Sequence, residues 1–61
     1  MNNVIYTKSF FEVLERALTD GSKVYDIYVS LDGQGQPVEL YQAASAADAM
    51  LRVDRLAEAL S

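Results

Sequence analysis

Two carboxylates and two tyrosines interleave in one part of the chain, Asp26 and Tyr28 in Tyr25-Asp26-Ile27-Tyr28-Val29, then Glu39 and Tyr41 in Val38-Glu39-Leu40-Tyr41. Paired carboxylates are the least that general acid–base work requires. Tyrosines ringed by acids are also what a protein uses to grip a cationic surface. The rest of the sequence favours the second chemistry. Its 61 residues include neither histidine nor cysteine, so the commonest general base, the thiol nucleophile and the usual zinc ligands are all missing. Ser9 and Ser45 each sit where a helix cap is expected. A chain this short hardly surrounds a substrate pocket, which takes on the order of several hundred Å³. Neither catalysis nor a cofactor or metal is therefore expected. Gly33-Gln34-Gly35 is not a phosphate loop either, because Pro37 and a strand-like run follow it where such a loop opens a helix. Asp32 lacks the further acidic ligands of a calcium loop.

The elements that must position those four side chains follow from periodicity. Lys23–Leu31 and Pro37–Ala43 are rich in β-branched and aromatic residues and flank the loop Asp32–Gln36, the pattern of a β-hairpin. Alternation places Tyr25, Ile27, Val29 and Leu31 on one face, joined by Val38 and Leu40. Asp26, Tyr28 and Ser30 take the other, with Glu39 and Tyr41. Keeping the apolar sets together excludes a one-residue slip and leaves two registers. Leu31 opposite Val38 sets Tyr28 across from Tyr41; a shift of two sets Tyr28 across from Glu39 and Asp26 across from Tyr41.

Ser9-Phe10-Phe11-Glu12 has the spacing of a capping box. Phe10, Phe11, Val13, Leu14, Ala17 and Leu18 then recur at helical period up to Asp20-Gly21, which predicts a helix over about 10–19 with Gly21 as its C-cap. Ser45-Ala46-Ala47-Asp48 starts a second helix over about 46–60, with Ala46, Ala49, Met50, Val53, Leu56, Ala57 and Leu60 on its apolar stripe. Leu51 falls out of phase on the polar side, beside Arg55 and Glu58, and marks a point for self-association. Val4–Thr7 is short and β-prone, and reads as an extra strand or an extended lead-in. The expectation is a single α+β domain over 1–61, a two-layer (β)-α-β-β-α arrangement. Both helices cover one face of an antiparallel hairpin, with Phe10, Leu14, Ile27, Val29, Leu40, Val53 and Leu60 in one core. Asp26, Tyr28, Glu39 and Tyr41 then share the open face.

The formal net charge of -4 argues against direct binding to nucleic acid, where affinity comes from lysine and arginine on phosphates. It suits a partner with a basic surface, approached by electrostatic steering. No run is long or apolar enough for a signal peptide or a membrane span, so a cytoplasmic location is expected. In size, acidity, lack of cysteine and α/β pattern, the whole chain resembles the small phage-encoded inhibitors of bacterial defence, anti-CRISPR proteins above all. The resemblance is one of general character and carries no motif. It implies a non-catalytic inhibitor in the host cytoplasm that covers the surface where a CRISPR complex engages DNA or its nuclease. Asp26, Glu39 and their neighbours would stand in for phosphates on that surface. Two other readings compete: a self-assembling, homodimeric structural or regulatory subunit, and a DNA-binding regulator, which the charge and the separated helices disfavour.

Overall fold

A single α-helix and four antiparallel strands make up the described part of the chain, residues 2–30 and 37–60 of the computed structural model. The strands β1 (Asn2–Lys8), β2 (Phe11–Ala17), β3 (Lys23–Val29) and β4 (Val38–Ala43) pair in chain order, and α1 (Ala46–Leu60) follows. The α+β class and the helix at 46–60 are as expected, and of the two readings of Val4–Thr7 the strand is the one observed, as part of β1. The helix expected over 10–19 is instead β2, the second strand of the sheet. Leu31 and the loop 32–36 lie outside the described residues.

The reason for that reversal is local and tertiary at once. Phe11-Glu12-Val13-Leu14-Glu15-Arg16-Ala17 fits a helical stripe, but it also alternates, with Phe11 and Val13 buried on one side and Glu12, Leu14 and Arg16 on the other. An isolated ten-residue helix is marginal in water, whereas β2 is laddered on both sides, by β1 and by β3. Ser9 caps nothing. It is the first residue of a two-residue turn between Lys8 and Phe11 and has φ 57°, the sign that a type II′ hairpin turn needs at that position. Gly21 does adopt positive φ, 91°, but in the β2–β3 loop. There the Asp20 carboxylate accepts from the Ser22 backbone N–H at 2.9 Å and its hydroxyl at 2.6 Å.

Both outer ladders slip by one residue. Val4 pairs with Leu14 and Tyr6 with Val13, leaving Ile5 unpaired; Glu39 pairs with Tyr28 and Tyr41 with Ile27, leaving Leu40 unpaired. A bulge changes the parity of every residue beyond it. Each edge strand thus sends two consecutive side chains, Ile5-Tyr6 and Leu40-Tyr41, toward the helix side.

The core lies between α1 and the sheet: Phe11, Val13, Ile27, Val29, Ala43, Ala49, Val53 and Ala57, with Ile5, Tyr6 and Tyr25 packed around it. Ile27, Val29 and Val53 are there as expected. Phe10 lies instead in the β1–β2 turn, Leu40 at the sheet edge and Leu60 at the end of α1, all about half exposed, and Leu14 is half-buried on the opposite face. The buried helix positions are small (Ala49, Val53 and Ala57), which lets α1 approach the strands closely. Ser45 caps α1, its hydroxyl accepting from the Asp48 N–H at 3.1 Å. One helix is roughly 10 Å across, against about 14 Å between the outer strand axes of a four-stranded sheet. α1 sits over β2 and β3 more than over the edges. The molecule is a plate of 37 × 24 × 15 Å with radius of gyration 11.5 Å, wider than the ~10.5 Å of a typical globule of this length. No helix among the described residues is long and apolar enough to cross a membrane.

Candidate functional site

The sheet face away from α1 is built in rows. Directly opposed residues give Thr7–Glu12–Tyr28–Glu39 across all four strands, followed by Val4–Leu14–Asp26–Gln42. Tyr28 is half-buried at the centre of its row, with a carboxylate on either side. Beside it, Glu12, Leu14, Tyr28 and Pro37 line a shallow depression of about 180 Å³. The register around Tyr28 is the one that sets it across from Glu39, as the second of the two sequence registers has it. That register fails beyond Leu40, where the bulge puts Gln42, not Tyr41, across from Asp26.

Asp26 shares this face but is committed to the fold. It is 3% exposed, covered by the side chains that bind it. Arg16 donates from Nε to Oδ2 at 2.9 Å and from Nη2 to Oδ1 at 3.4 Å, and Gln42 Nε2 donates to Oδ1 at 3.3 Å. The Arg16 hydrogen bond, and after it the Gln42 bond, hold the carboxyl below the usual carboxylate range against the opposing effect of burial. An Asp–Arg pair that satisfies itself offers a partner little net charge. Of the four residues expected together, Asp26, Tyr28 and Glu39 therefore share one face and Tyr41 does not. Glu12, assigned by the sequence to a helix exterior, joins them. Its alternation with Phe11 and Val13 is the available signal.

Tyr41 and Leu51 lie on the other side, along the flank of α1 above β4. The Arg52 guanidinium stacks over the Tyr41 ring at 3.8 Å from its centroid while its Nε donates to Asp48 Oδ2 at 3.2 Å. Ile27, Leu40, Tyr41, Leu51, Arg52 and Leu56 line an open groove of about 480 Å³ there, which Asp48 and Arg55 also border. The opposite flank of α1 is stitched to β1. The Tyr6 hydroxyl donates to Asp54 Oδ1 at 2.6 Å, and Lys8 Nζ donates to the same oxygen at 3.3 Å. The Tyr6 bond, with help from Lys8, holds the Asp54 carboxyl below the usual range, and the same bond raises the Tyr6 phenol. No three potential metal-ligating side chains cluster among the described residues.

No protein-family model, no curated protein and no solved structure matches this chain.

Proposed function

We propose that the chain is a non-catalytic binding protein that occludes a basic surface of a partner through its open sheet face. The observation that carries this reading is the Glu12–Tyr28–Glu39 row, an aromatic ring between two carboxylates on the face that α1 leaves uncovered. Tyr28 brings large contact area at low entropy cost. The depression beside it suits the aliphatic stem of an incoming lysine or arginine, while the flanking carboxylates take its charged head. The resemblance to phage-encoded inhibitors names the class of partner this chemistry suits, the nucleic-acid-holding surface of a bacterial defence complex in the cytoplasm. Acids on a rigid sheet there replace phosphates, and the chain itself binds neither nucleic acid nor membrane.

A short arginine-rich peptide titrated into isotopically labelled protein tests the face directly. Amide shifts should cluster at Glu12, Tyr28 and Glu39 and weaken as salt rises. In a complex with the cognate partner, Tyr28→Ala should cost about 2 kcal/mol if Tyr28 is an anchor. Glu39→Lys should mainly slow association and reduce its salt dependence, and Tyr41→Ala should change nothing. Shifts confined to α1, or folded variants of Tyr28 and Glu39 that bind like wild type, would remove this reading.

A further inference from the structure

We infer that the groove between α1 and β4 is the seat of a second copy of this chain, whose α1 lies antiparallel along the first. The groove is what remains when one helix covers a four-stranded sheet. Above β1 that gap is bridged by Tyr6 and Lys8 on Asp54, and the cleft of about 440 Å³ left there is lined mainly by polar side chains, Lys8, Ser9, Asp54 and Glu58. Above β4 it is bordered by apolar side chains, Leu40 (47% exposed), Tyr41 (40%), Leu51 (50%) and Leu56 (38%). These are contiguous, and Leu51 stands out of phase with the apolar stripe of its own helix.

The charges along the groove select the occupant. The helix wall runs from Asp48 at its N-terminal end to Arg52 and Arg55 further on. An antiparallel copy centred between Leu51 and Arg52 brings Asp48 opposite Arg55 of the second copy, twice about the two-fold axis, and sets each Leu51 at the centre against Arg52 of the other copy, whose charged head is already held by its own Asp48 and the Tyr41 ring. The pattern is thus self-complementary, as an isologous contact requires. A basic or an acidic partner would meet a like charge at one end of the groove. The alternative route to a dimer, pairing of sheet edges, is disfavoured, because both edge strands carry a bulge, a common means of blunting an edge. A standard interface takes about 800 Å² from each partner, roughly a fifth of the 4277 Å² that one copy exposes. The seat lies on the opposite side of the sheet from Glu12, Tyr28 and Glu39, so both binding events are compatible and fail separately.

Analytical ultracentrifugation across a concentration series tests the seat, with melting followed by circular dichroism as the control for folding. Wild type should self-associate as a dimer. Leu51→Glu and Arg55→Glu should each weaken that dimer roughly tenfold or more, with melting at high dilution unchanged because both side chains are exposed. Tyr28→Ala should leave it alone. Wild type that stays monomeric throughout would overturn the inference. So would a dimer that survives both groove substitutions, or one abolished by Val38→Pro at the β4 edge and untouched by Leu51→Glu.

Discussion

The two faces of this sheet come from the same alternating strands, yet they put their polar residues to opposite uses. On the helix side, the buried side chains are apolar, and polar contacts lie around them, where Tyr6 meets Asp54, Arg52 meets Tyr41 and the Tyr25 hydroxyl donates to Glu15. On the open side the most buried group is a charge, Asp26, which Arg16 and Gln42 roof over without any second layer. The difference teaches how a plate this thin is held. One face supplies hydrophobic stabilisation, and the other needs only to keep its polar groups satisfied. Beside Asp26 the open face carries the acid–tyrosine–acid row, whose Glu39 also borders the Asp26–Arg16 pair.

The largest test of that contrast is to place the same amide on each face. Ile27 is fully buried, so Ile27→Asn loses its apolar burial and strands a polar group, at a cost of several kcal/mol. A domain of this size rarely holds more than about 3–5 kcal/mol in all, so the variant should not fold. Leu14, half-buried on the open side, should lose only about 1 kcal/mol on Leu14→Asn. Urea denaturation decides it; equal midpoints for the two variants would break the distinction between the faces.

A pH series sharpens the contrast through Asp26. Its folded pKa is lowered, so its contribution is fully present above the unfolded value of about 3.9 and is lost as pH falls through the folded one. Asp54 and Asp20, lowered by the Tyr6 and Ser22 hydrogen bonds respectively, act in the same window. Asp26→Asn should cost about 1–2 kcal/mol at neutral pH, discounted because the Arg16 side chain is 38% exposed. It should also flatten the fall in stability below about pH 4. If the Asp26→Asn variant kept the wild-type acid slope, that slope would belong to the other carboxylates.

Much of this molecule is legible in the sequence where one periodicity has no rival. Helix α1 has its cap at Ser45 and a 15-residue stripe. In β3, alternation separates Tyr25, Ile27 and Val29 from Asp26 and Tyr28 as expected. Residues 11–17 mislead because their apolar spacing satisfies both periods, and only pairing with β1 and β3 arbitrates. Ser9 misleads for a related reason: a polar residue before an apolar run marks a tight turn as well as a cap. The loss of Tyr41 from the candidate face has another source, the one-residue bulge at Leu40. Alternation cannot foresee a bulge, although adjacent Leu40-Tyr41 and Ile5-Tyr6 in otherwise alternating strands are its trace. The open face itself is legible, and its acidic member Glu12 is hidden by the helix reading.

At the β1 flank, Tyr6→Phe removes one hydroxyl that donates to Asp54 at 2.6 Å. The melting midpoint should fall modestly, with Lys8 still satisfying the carboxylate. Because the folded Tyr6 pKa is raised, the stability it gives is complete below the unfolded phenol value of about 10 and is lost as pH climbs through the folded value. The Tyr6→Phe variant should therefore lose the alkaline dependence along with the bond.

The smallest effect should come from the β4 flank, and its size separates a hydrogen-bonded flank from an apolar one. Arg52 lies over Tyr41 at 3.8 Å and pairs with Asp48, but its side chain is 46% exposed and the ring beneath is 40% exposed. An exposed cation–π contact gives about 0.5–1 kcal/mol, and an exposed i,i+4 ion pair about 0.3–0.5. Arg52→Lys keeps the charge and loses the planar stack, so at high dilution its melting midpoint should fall by less than that of Tyr6→Phe. At high concentration the two flanks should diverge further if a second copy fills the β4 groove, because burial strengthens the stack in the dimer and leaves the Tyr6–Asp54 bond as it was. A concentration series of midpoints for the two variants reads this out. If Arg52→Lys matches Tyr6→Phe at every dilution, the β4 flank is already as tightly held in the single copy as the β1 flank, and the asymmetry between them is lost.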